Sequence, residues 1–216
     1  MVNVDLRNHG QSFHDPVMNY AVMADDVAAL IEHLQLGPCQ LLGHSMGGKV
    51  AMTLALRHRQ LVERLLVADI APVAYFHDYD DLITPILALP LQDLQSRAQA
   101  DQLLKANIPE DQLRAFLLQN LVKQQDQWQW RVNWSAIKAN MRELTTFESD
   151  SEDWRIDIPT IFIRGALSDY IGEAETGLIS THFSEAEIIT LEAAGHWLHA
   201  EQPAAFSRLV LKFLNR

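Results

Sequence analysis

The 216-residue sequence holds one cysteine, Cys39, so it cannot form a disulfide within the chain. It has no CxxC pair and no Cys/His cluster of metal-ligand spacing, so neither a metal nor a cofactor is called for. Cys39 precedes an apolar run and reads as buried filler. Positive charge is scarce: 17 Lys and Arg against 28 Asp and Glu leave a formal net charge of −11. Nucleic-acid phosphates need a basic face, so a nucleic-acid partner is not expected, and the charge favours a self-repelling, soluble surface. No apolar run is long enough to cross a membrane. The N-terminus has no basic stretch followed by an apolar one, so no secretory signal is read and a cytoplasmic location is expected by default. The length suits one domain, or one domain with an inserted subdomain.

What is present alternates. Val2–Leu6 reads as a strand. Tyr20–Leu34 carries apolar residues at three- and four-residue spacing, a helix that Gly37-Pro38 ends. CQLLGH reads as a buried strand, Met46–His58 as a helix and Glu63–Ile70 as a strand. Thr160–Gly165 and Glu187–Glu192 are two more strands, and a last helix runs from near Pro203 to Leu214. Strands alternating with helices predict a largely parallel sheet. Between Pro72 and Pro159 the pattern reads as helices only: Asp78–Leu89, Leu91–Asn107, Pro109–Gln124 and Ser135–Thr145. A helical insertion over residues 73–155 is therefore expected, within a core made of residues 1–72 and 156–216. The insertion carries Trp128, Trp130, Trp134 and Trp154, which read as packing of its own core rather than as ligand contacts.

The stretch Gly43-His44-Ser45-Met46-Gly47 matches G-x-S-x-G, and it follows a strand and opens a helix. That context presents a serine Oγ on a sharp turn at the sheet edge. The helix N-terminus supplies free N–H groups, with the Met46 N–H placed to donate to an oxyanion. Gly48 permits close packing of the helix on the sheet. Ser45 is the candidate nucleophile; the competing reading is a turn of glycines that serves packing or phosphate.

A serine needs a base, and the base needs an orienting group. His196 follows the last strand, and Gly195 allows a tight turn there. His199 is the rival base, expected to face the following helix or solvent. His44 flanks the serine but points elsewhere, and His9 belongs to another loop. For the acid, Asp69 and Asp169 both follow strands and both satisfy the chain order Ser…Asp…His, so residue order leaves the two open.

DLRNHGQS, GHSMGG, VADIAPV, RGALSDYI and AGHWLHAEQP together resemble an α/β-hydrolase over nearly the whole chain. DLRNHG, HSMGGK, DIAPV and GHWLHAE are more narrowly similar to the bacterial YbfF-type esterases. The resemblance implies the α/β-hydrolase fold, a mostly parallel sheet with an inserted helical cap, and hydrolysis of short-chain esters and acyl thioesters. Most of the superfamily places its acid three residues after the glycine of the next-to-last strand. Here that position is Ser168, and Asp169 is one residue late. In YbfF-type enzymes the position is also serine and the acid moves to the DIAP motif, so the resemblance favours Asp69, with Asp169 as the alternative. Asp5, Arg7 and Gly10 are expected to shape a loop that Ser12 caps; a place for Asn8 or His9 beside the acyl pocket is the lesser reading. The family also carries about forty residues before the position of Val2, including first strands and an HG loop that gives a second oxyanion N–H. The only HG before Ser45 here is His9-Gly10, so the N-terminal strands and half of the oxyanion hole are expected to be missing.

The expected function is a serine hydrolase of the esterase or thioesterase type, acting on a small-molecule ester or thioester through an acyl-enzyme on Ser45. A C–C bond hydrolase or lactonase of the same fold shares the triad. The other class is a non-catalytic α/β-hydrolase-like binding protein, suggested by the absent HG loop.

Overall fold

The structure is a computed structural model that describes residues 1–75, 79–147 and 153–215. In chain order its elements are α1 (Tyr20–His33), β1 (Cys39–His44), α2 (Met46–Arg57), β2 (Val62–Ala68), α3 (Asp80–Leu87), α4 (Arg97–Leu104) and α5 (Asp111–Leu118). There follow β3 (Leu121–Gln124), β4 (Gln127–Trp130), α6 (Trp134–Ala139), α7 (Met141–Thr145), β5 (Thr160–Gly165), α8 (Glu173–His182), β6 (Ala186–Leu191), α9 (Leu198–Glu201) and α10 (Pro203–Leu214). The chain divides into two compact units, residues 20–74 with 146–216 and residues 1–19 with 75–145.

The first of these units is a four-stranded, all-parallel sheet in the order β1-β2-β5-β6. A parallel sheet covered on both faces needs strands that are apolar on both faces. β2 meets that need: Leu65, Leu66, Val67 and Ala68 are all fully buried. Each such Leu or Val contributes roughly 1.5–3 kcal/mol by leaving water, which makes β2 the centre of the core. α10 lays Phe206, Leu209, Val210 and Phe213 against Leu66, Ile161 and Ile163. α2 packs on β1 and β2, and α1 packs on α2. The expected strand Glu63–Ile70 stops earlier, at Ala68: Asp69 turns to φ 51°, its N–H giving the last bond of the ladder to the Ile163 carbonyl at 2.8 Å. Pro203 stands in the first turn of α10, where its missing N–H has no helical partner to lose.

The second unit is mostly helical around Ile86, Leu104, Ile108, Leu117 and Leu121. Trp128, Trp130 and Trp134 pack against this cluster, as core rather than as open ring faces. Trp154 belongs to the sheet unit, where it stacks on His182 with ring centroids 3.9 Å apart. The reading of this region as helices only is corrected by the antiparallel pair β3–β4. Gln125 and Asp126 join them with φ of 50° and 65°, and two left-handed residues make the tight turn that a hairpin's twist favours. The other helices are shorter than periodicity suggests. α4 begins at Ser96, whose hydroxyl accepts from the Gln99 N–H, and α6 begins at Asn133, whose side chain accepts from the Ala136 N–H. α3 starts two residues after Asp78, the expected first residue, which lies outside the described residues.

Val2–Leu6 is a second correction, since it forms no strand. Alternation alone does not hold a strand; a ladder partner does, and among the described residues none pairs there. The segment beyond it is a self-bonded loop, as expected. The Asp5 carboxylate accepts from Gln11 N–H at 2.9 Å, and Ser12 Oγ donates to the Asp5 carbonyl at 2.6 Å. Asn8 is fully buried at φ 66°. Its Nδ2 donates to the Asp15 carbonyl, and its Oδ1 accepts from Asp15 N–H and from Asn133 Nδ2, at 2.9–3.0 Å. Its backbone carbonyl accepts from Asn133 N–H at 2.9 Å. Asn8 is thus a knot between the N-terminal loop and the start of α6. Among the described residues no helix is long and apolar enough to cross a membrane.

Candidate active site

In a parallel sheet the loops after neighbouring strands open at one end. Ser45 follows β1, Asp69 follows β2, Ser168 follows β5 and His196 follows β6. Four consecutive strands of the sheet therefore deliver four polar side chains to that end.

Ser45 sits at φ 52°, ψ −120°, a conformation an L-residue adopts only when its surroundings impose it. Two surroundings do so. The Ser45 N–H donates to the Ala68 carbonyl at 3.0 Å, prolonging the β1–β2 ladder by one bond. The Ser45 carbonyl already accepts from Gly48 and Lys49 N–H as the first helical acceptor of α2. The switch from strand to helix takes place inside one residue. Glycine at 43 is needed for it: a Cβ there would stand 2.1 Å from the Gly47 carbonyl oxygen. Gly48 packs as expected, because a Cβ on it would come within 2.6 Å of Ile70 Cγ2. The Met46 N–H opens α2 and has no intrahelical acceptor. Among the described residues no other hydrogen bond claims it.

Asp69 has no exposed surface, so its carboxylate needs donors in place of water. It has three. Oδ1 accepts from Gly165 N–H at 2.9 Å, and Oδ2 accepts from the Ser168 hydroxyl and from His196 Nδ1 at 2.8 Å. His196 Nε2 lies 3.0 Å from Ser45 Oγ. The tautomer follows from the partners: a carboxylate at Nδ1 takes the ring proton there, leaving Nε2 as acceptor toward the serine hydroxyl. Tyr170 stacks on the His196 ring, centroids 4.0 Å apart and planes 22° from parallel, which limits rotation of the imidazole.

The structure thus brings Ser45, His196 and Asp69 together. Asp169 is exposed, and among the described residues no hydrogen bond joins it to His196. His199 is exposed and has its ring near His44 and Phe206 rather than Ser45. His44 points away from the serine hydroxyl, as expected, but it is not idle. Its Nε2 meets the His196 carbonyl at 2.8 Å, where only a protonated ring nitrogen can donate. Burial, with the His196 ring next in weight, pushes the His44 pKa down to about 4, so the ring is neutral near pH 7 and carries its one proton on Nε2. Sequence reasoning did not give a role to His44, Tyr170 or the Ser168 hydroxyl. For Ser168 a signal was there, since it stands where most of the superfamily has its acid. Tyr170 and His44 act through ring positions that only the folded chain defines.

The parallel sheet and a hydroxyl–imidazole–carboxylate chain assembled on its strand ends define a hydrolase of the α/β type. A model of the alpha/beta hydrolase family matches residues 1–209. The sn-1-specific diacylglycerol lipase ABHD11 of Danio rerio is 36% identical over 221 residues, spanning 100% of this chain and 69% of that protein. Esterase YbfF of Escherichia coli is 34% identical over 216 residues, spanning 100% of this chain and 82% of that protein. Among solved structures, a marine microorganism esterase superposes with a TM-score of 0.92 at 35% identity, covering 97% of this chain and 82% of its own. The chain belongs to the α/β hydrolase family.

Proposed function

We propose that this protein cleaves carboxylic esters of short acyl chain, or acyl thioesters, through an acyl-enzyme on Ser45. The observation that carries the reading is the unbroken hydrogen-bonded chain from Ser45 Oγ through His196 to the buried Asp69. His196 Nε2 takes the hydroxyl proton as Oγ attacks the acyl carbonyl. Asp69 holds the imidazole in the required tautomer and stabilises the imidazolium. The Met46 N–H donates to the oxyanion of the tetrahedral intermediate. The imidazolium returns its proton to the leaving alcohol or thiol, and water, deprotonated by the same nitrogen, then releases the acid. No metal or cofactor enters any of these steps. Relatives named as esterase and lipase over the whole length of this chain support the class of substrate. On the reading of residues 73–155 as a cap, that segment sets the choice of acyl group.

The test is turnover of p-nitrophenyl acetate or butyrate, with covalent labelling by a fluorophosphonate. Turnover and labelling that both vanish in Ser45→Ala agree with the reading. An unchanged rate in Ser45→Ala overturns it. A folded wild-type protein that neither labels nor turns over an ester would point to a binding role instead.

A further inference from the structure

His196 stands on a stretch without regular structure, between the end of β6 and the start of α9. Such a stretch is placed only by the bonds its backbone makes. Here each residue from Ala193 to Trp197 has a backbone group held from outside the stretch. The Ala193 carbonyl accepts from Gln202 Nε2 at 3.1 Å, and the Ala194 carbonyl accepts from Leu167 N–H at 2.9 Å. The His196 carbonyl accepts from His44. The remaining two groups are the amides on either side of His196, and both end on one side chain. Gly195 N–H donates to Glu201 Oε2 at 2.8 Å, and Trp197 N–H donates to Glu201 Oε1 at 3.1 Å.

We propose that Glu201 is a positioning residue for His196: its carboxylate clamps the backbone N–H groups of Gly195 and Trp197, the residues before and after the histidine, so that the imidazole meets Asp69 and Ser45 at once. The proposal rests on the reading of His196 as general base. Its chemistry is specific to a carboxylate. Two amides arrive side by side, and a carboxylate gives each its own acceptor oxygen; the bonds are charge-assisted, hence short and directional. The approach also explains the glycine beside the histidine. A Cβ at 195 would lie 3.2 Å from Glu201 Oε1 and 3.4 Å from Oε2, so the carboxylate would have to give by a few tenths of an ångström.

Glu201 is exposed, so its bonds compete with water and add little to global stability. A purely structural role, closing the single turn of α9, would show as a change in folding and nothing more. A positioning role shows elsewhere. A misplacement of about 1 Å in a reacting group can cost about a hundredfold in rate.

The experiment compares wild type with Glu201→Ala and Glu201→Gln. Thermal melting reports the fold. Active-site titration counts competent sites, and p-nitrophenyl butyrate turnover is expressed per titrated site. Proton NMR follows the far-downfield resonance of the His196 Nδ1–H held by Asp69. The expected result is a melting temperature near that of wild type, kcat per site lower by roughly tenfold to a hundredfold in Glu201→Ala with KM little changed, and a shifted or broadened resonance. Glu201→Gln keeps the size and one acceptor oxygen and should fall between the two. It also decides the matter if Glu201→Ala fails to fold. A resonance and a per-site kcat that both stay at wild-type values overturn the proposal. If Ser45→Ala turns over as fast as wild type, the general-base reading falls by itself, and the resonance alone then judges whether Glu201 holds the imidazole.

Discussion

Replacing Asp69 by Asn changes one atom in a site with no room to adjust. Asp69 is fully buried, with Oδ1 on Gly165 N–H and Oδ2 on both His196 Nδ1 and the Ser168 hydroxyl. Gly165 N–H can only donate, so the Asn oxygen must stay on that side. The new NH₂ then faces His196. A donor at that place reverses the imidazole tautomer: Nδ1 becomes the acceptor and Nε2 carries the proton. Ser168 Oγ turns to accept, so every buried group remains satisfied and the fold should survive. Toward Ser45, though, Nε2–H is now a donor and cannot receive the hydroxyl proton. The wrong tautomer in an intact triad costs about 10⁴-fold in kcat, or about 5 kcal/mol in the barrier. The assay is p-nitrophenyl butyrate turnover per folded molecule, with thermal melting as the check on folding. Asp169→Asn is the control and should stay within about twofold of wild type, since an exposed residue away from the histidine has little to lose. A folded Asp69→Asn protein that loses less than tenfold refutes the tautomer argument, and a loss confined to Asp169→Asn refutes the choice of acid.

Three further outcomes concern Gly165, His44 and Asn8. Gly165→Ala puts a Cβ 2.3 Å from the Gly195 carbonyl oxygen and 2.5 Å from that of Ala194, both backbone atoms that cannot step aside; it should cost about 1–3 kcal/mol in urea unfolding and lower kcat, because the histidine turn must move. His44 binds fewer protons folded than unfolded between its pKa of about 4 and its ordinary 6.5. Its share of stability is therefore complete above pH 6.5 and is lost as pH falls toward 4, by up to about 3 kcal/mol; urea titrations at pH 7 and pH 5 should show a slope that flattens in His44→Gln. Asn8→Ala leaves the Asp15 backbone and Asn133 Nδ2 without their partner and places a residue less tolerant of φ 66°; a loss of roughly 1–3 kcal/mol by thermal or chemical melting is expected.

The sheet unit was legible because its signals are local. Buried apolar runs mark β2 and β5, and the G-x-S-x-G turn declares itself within five residues. The Asp69 assignment was not local; residue order left it level with Asp169, and only resemblance separated them. The helical region misled in one place. In LVKQQDQWQW the tryptophans recur every second residue, the period of a strand, while the neighbouring helix-forming residues carried the reading the other way. Val2–Leu6 failed for the opposite reason: a local pattern was present and, among the described residues, a partner strand was not. The hydrogen bonds of His44, Ser168 and Glu201 are invisible in sequence because each joins residues whose neighbourhood is made by the fold alone.

The separations along the chain carry a consequence for synthesis. Ser45 and His196 are 151 residues apart, and Asp69 and His196 are 127 apart. At a rate of about 5–20 residues per second, on the order of ten seconds pass between the appearance of the proposed nucleophile and that of its base. On the proposed mechanism, the growing chain carries throughout that interval a serine without the histidine that is to take its proton. On that mechanism the triad is complete only once β6 has joined the sheet, and a chain broken off before that strand lacks the proposed general base.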